Sequence, residues 1–191
     1  MPERLTILGC LDDSLKELLR LGIPLDEDKI HFDIAAEQSP TPDKAVNLFL
    51  YDVRENRDLR SNEWQVERRS GMVTKQPPPV RVDCSYLITA SAGDTQSEHD
   101  LLGLVMETLL RYPTLPDAIL QGKLANQPLP TSSLGSGKLQ SVGEYWQTIG
   151  GKPKATLHYT VTLSVQAQEP IEVGPPVTEV TVRFGPPTQE E

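Results

Sequence analysis

Three arginines spaced three apart, Arg54, Arg57 and Arg60, follow a strand-like run in the stretch NLFLYDVRENRDLRSNEW, residues 47–64. Asn56 lies among them and Asn62 just after, so the stretch offers a dense set of hydrogen-bond donors. Guanidinium forks grip carboxylates and phosphates in a bidentate way. Three chemistries therefore fit: a ligand site, a nucleic-acid contact, or the charged rim of a protein–protein joint. A solvated hairpin loop is the plain alternative. The chain as a whole weighs against nucleic acid, because 18 Lys and Arg face 27 Asp and Glu for a net charge of −9. Phosphate tracking needs clustered Lys and Arg, and the same balance disfavours adsorption to anionic lipid.

Catalytic signatures are absent elsewhere. His31, His99 and His158 are scattered, and none has a metal-ligand partner at i+3 or i+4 forming a set. His99, between Glu98 and Asp100, reads as a solvated helix start, and His158 as a surface residue. "GSGK" at 135–138 hints at a phosphate loop, but Ser132 stands where that loop needs glycine and Leu139 where it needs Ser or Thr. Pairs such as Asp12 with Asp13 or Asp26 with Asp28 read as surface charge. No cofactor, metal site or catalytic set is read from the chain, and no enzyme activity is expected. Cys10 and Cys84 are too few for a disulfide framework, which suits cytoplasmic synthesis. Cys84 falls on the apolar side of an alternating strand, as a buried, inert thiol does. "ILGC" at 7–10 mimics a lipoprotein cleavage box, yet only "LTIL" precedes Gly9, short of the roughly 7–15 apolar residues such a signal carries. With no run near the roughly 20 apolar residues of a membrane span, a soluble protein without direct membrane insertion is expected.

The elements that must position these residues follow from periodicity. Leu11, Leu15, Leu18 and Leu19 at helical spacing predict a helix over 11–21, stopped by Gly22 and Pro24. Residues 29–36 predict a short strand, and 46–53 a strand apolar on both sides, hence central and covered on both faces. Weaker alternation over 63–76 is broken by "PPP" at 77–79. "VRVDCSYLITA", 80–90, alternates with Leu87 the single exception. A second helix is predicted from a cap at Thr95 or Ser97 to Pro113, with Leu101, Leu102, Val105, Met106, Leu109 and Leu110 as its apolar stripe. "DAILQGKL" predicts a short strand and 141–150 a short amphipathic turn or helix. Strands follow at 156–167 and, after the loop "EPIEVGPP", over "TEVTVRF" at 178–184. Seventeen prolines and 13 glycines leave much of the chain to loops. The sum is an α+β fold: a mostly antiparallel sheet with two main helices packed on one face, in a single domain over 1–185 with a flexible tail at 186–191. Segments 63–79 and 167–185 read as extended arms whose edges can accept a strand from an adjacent subunit.

"NLFLYDVRENRDLRSN", "PPPVRVDCSYLITA", "EHDLLGLVMETLLRYPTLP" and "EYWQTIGGKPKATLHYTVTLSV" occur in that order. Together they resemble the amino-terminal domain of the tail-cap proteins, or tube terminators, of extracellular contractile injection systems, which are phage-tail-like particles. The resemblance covers roughly residues 5–185 and is weakest before residue 40. It implies a tail-terminator-like fold and a structural role without cofactor. It also implies a ring of six copies that closes the inner tube and contractile sheath at the end distal to the baseplate. Partners would be further copies, the inner tube protein and the sheath protein, in a particle either intracellular or released. Under that reading Arg54, Asn56, Arg57, Arg60 and Asn62 belong to a subunit or sheath interface. The terminator of a true phage tail and a free-standing binding module remain alternatives.

Overall fold

The computed structural model describes residues 6–33, 43–69, 72–135, 143, 146–147 and 153–174. Its elements in chain order are α1 (Ile7–Gly22), β1 (Ile30–His31), β2 (Ala45–Glu55), β3 (Gln65–Arg69), β4 (Met72–Gln76) and β5 (Val80–Ser91). They are followed by α2 (Thr95–Arg111), β6 (Thr131–Leu134), β7 (Leu157–Val165) and β8 (Ile171–Gly174). They fall into two compact units, Met1–Arg60 with Val80–Val165, and Ser61–Pro79 with Gln166–Glu191.

The larger unit holds a five-stranded sheet of order β1-β2-β5-β7-β6. Only the β1–β2 pair is parallel; the others are antiparallel. One face carries Val46, Leu48, Cys84, Tyr86, Ile88, Tyr159, Val161 and Leu163 into a core shared with both helices. α1 starts earlier than leucine spacing predicts, because the Thr6 hydroxyl caps it by accepting the Gly9 N–H at 3.3 Å. "ILGC" is thus its first turn, with Cys10 buried. Leu11, Leu15, Leu18 and Leu19 are all fully buried, at about 1.5–3 kcal/mol each. The Tyr86 hydroxyl donates to Asp12 on α1 at 2.9 Å, tying helix to sheet. On the opposite face Asn47, Leu87 and Thr89 are also buried, so the central strands are covered on both sides. The Asn47 amide donates to the Asp33 carbonyl at 2.7 Å and accepts its N–H at 3.1 Å, extending the β1–β2 pairing past the end of β1.

Several expectations are corrected. The cap of α2 is Asp94, whose carboxylate accepts the Ser97 N–H at 3.1 Å and its hydroxyl at 2.6 Å. Those bonds hold the Asp94 carboxyl below the usual carboxylate range. Met106 and Leu110 leave the predicted stripe and are exposed, while Thr108 is buried in their place against α1. "DAILQGKL" forms two 3-10 turns, Asp117–Ile119 and Gly122–Asn126, because Ile119, Leu120 and Leu124 all turn into one core and Gly122 adopts a φ of 51°. Of the strand predicted at 29–36, β1 takes only Ile30–His31 among the described residues, and 34–36 lie outside them. β6 arises where no strand is expected, and β8 lies within the stretch "EPIEVGPP" that reads as a loop. The strand predicted at 178–184 and the tail at 186–191 lie outside the described residues, as do most of 141–150 and of "GSGK".

In the smaller unit β3, β4 and β8 form an antiparallel sheet of that order. The two stretches expected as separate arms therefore pair with each other within one chain. Gln166 secures their approach by donating to the carbonyls of Pro77 and Gln168, each at 3.1 Å.

Candidate functional site

A bulge in β2 sets the geometry at its far end. Leu50 opposes Tyr86 and Asp52 opposes the next residue, Ser85, so Tyr51 is the extra residue. Beyond it Arg54 stands opposite Asp83 on the sheet face away from the helices, and Val53 stands opposite Cys84 on the other. β2 then ends in the 3-10 turn Arg57–Leu59.

Asn56 builds that turn. Its Oδ1 accepts the Leu59 N–H at 3.2 Å, and its backbone N–H donates to the Arg81 carbonyl at 2.8 Å. Its Nδ2 donates to both carboxylate oxygens of Asp83, at 3.0 and 3.2 Å. Asp83 also accepts from the Thr162 hydroxyl at 2.7 Å, so one carboxylate on β5 links β7 to the turn. Asn56 points inward and anchors.

The arginines differ among themselves. Arg54 pairs with Asp52 on its own strand, and Arg60 Nε lies 3.3 Å from Glu55. Arg57 is exposed and makes no ion pair among the described residues. Val53 and Leu59 are about half exposed. Arg57, Val53 and Leu59 supply the mixture of Arg and apolar surface usual at protein contacts. Asn62 is exposed and belongs to the smaller unit.

Sequence reasoning finds the arginine turn but misses Asp83, because nothing in an alternating strand marks which polar residue will collect partners. It also misses the apolar face of the smaller sheet. There Trp64, Val66, Lys75, Ile171 and Val173 line a shallow recess of about 430 Å³.

Three other titratable groups are held toward their neutral forms by burial. Burial, with Asp83, Asp12 and Asp52 nearby, pushes the Cys84 thiol up to about 12. Burial likewise raises the Tyr86 phenol and lowers the His158 imidazole. His158, expected at the surface, is half-buried, its ring T-shaped to that of Tyr51 with centroids 6.2 Å apart. Among the described residues no three His, Cys, Asp or Glu converge as a metal set, and no helix is long and apolar enough to cross a membrane.

Fold and turn together define an α+β module. The chain belongs to the Pvc16 N-terminal domain family, whose model matches residues 11–179 and so spans both units. Two solved structures share the fold. One is the PVC sheath/tube terminator of an extracellular contractile injection system in its extended state, 24% identical with a TM-score of 0.72. The match covers 100% of this chain and 67% of that one. The other is the tube-terminating cap of the anti-feeding prophage, 22% identical with a TM-score of 0.65, covering 94% of this chain and 62% of that one. This chain thus spans about two thirds of their length. At these identities the likeness is one of fold. No curated protein matches the chain.

Proposed function

We propose that this chain is a structural cap, closing the inner tube and contractile sheath of an injection particle at the end distal to the baseplate. Carrying the reading is a family match over residues 11–179, joined to a fold shared with two terminators of such particles. The work of a cap is to present rigid surfaces to neighbours and stop further addition, and it needs no reacting group. In this reading the copies form a ring, six by analogy with the family, built by head-to-tail contacts that close on themselves. Tube and sheath proteins are its partners, with assembly in the cytoplasm before any release.

Arg57, flanked by Arg54, Arg60 and Asn62, contributes to the joint with an adjacent subunit or a sheath segment, and Asn56 holds the turn in shape. The test compares particles made with and without this chain by negative-stain electron microscopy. With it, tubes and sheaths end in a closed density and have uniform length; without it, ends are open and lengths scatter. Unchanged ends and lengths would overturn the proposal. Arg57→Glu with Arg60→Glu leaves the chain folded and lowers ring occupancy at particle ends. Normal occupancy would remove the turn from the joint.

A further inference from the structure

Among the described residues of the smaller sheet none is buried. Trp64, Val66, Ile171 and Val173 are exposed by 49%, 48%, 51% and 49%. Register aligns Val66, Lys75 and Ile171 in one row, so the Lys75 ammonium stands beside apolar side chains. Gln65 and Gln76, and Thr74 and Glu172, pair on the polar rows between. A three-stranded sheet gains stability when its apolar face is covered, and single proteins rarely leave such a patch open.

The complement stands on α2. Gly103, Met106, Glu107 and Leu110 fall at i, i+3, i+4 and i+7 and share one stripe. Met106 and Leu110 are exposed by 39% and 60%, with Glu107 exposed between them. At Gly103 an added Cβ would meet nothing within 4 Å, so the stripe has open space at its start. An apolar face centred on a cation matches an apolar stripe centred on an anion.

We propose that the β3-β4-β8 sheet of one copy seats on α2 of a second copy, with Lys75 pairing to Glu107. This inference rests on the ring-forming reading above. Two different surfaces meet, so the contact runs head to tail and can propagate around a ring. Three strands about 4.8 Å apart and four or five residues long span roughly 15 Å square, well under the ~800 Å² per partner of a standard interface. The contact is therefore one anchor of a larger joint, to which the arginine turn contributes.

The test places cysteines at both positions, Lys75→Cys with Glu107→Cys, in the full chain assembled with tube and sheath. Both native cysteines are buried and do not compete. Mild oxidation gives a ladder of disulfide-linked multimers, whereas either single variant stays a single-chain band, because its one cysteine faces Glu107 or Lys75 of the neighbour. A single-chain band from particles that visibly carry caps overturns the inference while leaving the cap reading intact. A fast-migrating monomer with an internal disulfide overturns it too, by placing the sheet on its own α2. Particles whose ends lack this chain defeat the cap reading itself. In the charge test, Lys75→Glu raises the concentration needed for ring assembly about tenfold, and adding Glu107→Lys restores it.

Discussion

Gly22→Ala probes the closest approach between the two helices. A Cβ at residue 22 would lie 2.1 Å from Thr108 Oγ1, 2.6 Å from its Cγ2 and 2.8 Å from its Cβ. Turning Thr108 about χ1 cannot remove the last contact. The side chain is also buried and held, its hydroxyl donating to the Leu104 carbonyl at 2.8 Å. Reaching 3.4 Å, where ordinary contact begins, requires α1 and α2 to part by about 0.6 Å from the 2.8 Å position. Overpacking of this kind costs about 1–3 kcal/mol. Replacing glycine in a helix interior returns at most ~1 kcal/mol, and less at the final residue of α1. The net expectation is a loss of about 1–2 kcal/mol, or roughly 2–8 °C in Tm for a chain of this size. Circular dichroism at 222 nm under heat and urea reads it directly. Thr108→Ala removes the two nearest atoms but keeps Cβ, so the double variant should show a favourable coupling of about 1 kcal/mol and incomplete recovery. A Gly22→Ala protein as stable as the parent, or strict additivity with Thr108→Ala, refutes the reasoning.

Further predictions concern single side chains. Tyr86→Phe loses the bond to Asp12 and should cost about 1–2 kcal/mol in urea unfolding. Asn56→Ala releases Asp83 and the Arg57–Leu59 turn and should cost about 1–2 kcal/mol, whereas Asn62→Ala should stay within roughly 0.5 kcal/mol. Cys84, with its thiol pushed to about 12, should resist alkylation at pH 8 until the chain unfolds; rapid native labelling would contradict its burial. For His158 the folded-state value lies below 6.5, so the fold favours the neutral ring. Its contribution is fully present above 6.5 and is lost as pH falls through 6.5 toward the lowered value. His158→Gln should flatten stability across that window, as measured by thermal melts at stepped pH.

Much of the architecture is legible in the order of the residues alone. The leucine spacing of α1 and the alternation of β2, β5 and β7 each repeat with the period of a single element, and such periods survive in any tertiary context that buries one face. Tertiary structure decides what periodicity leaves open. The wide apolar stripe of α2 has more leucines than the core can take, and the close approach of Gly22 turns the helix so that Thr108 is inside and Met106 and Leu110 are out. "DAILQGKL" becomes two turns because its three apolar residues reach one core only if the chain coils there. Ile171 and Val173 join β4 through a pairing about a hundred residues away in sequence, which no local pattern encodes. Arg54, Asn56, Arg57, Arg60 and Asn62 read alike as polar loop residues. Only the position of Asp83, fixed by a neighbouring strand, makes Asn56 an anchor, while Arg57 keeps its guanidinium at the surface.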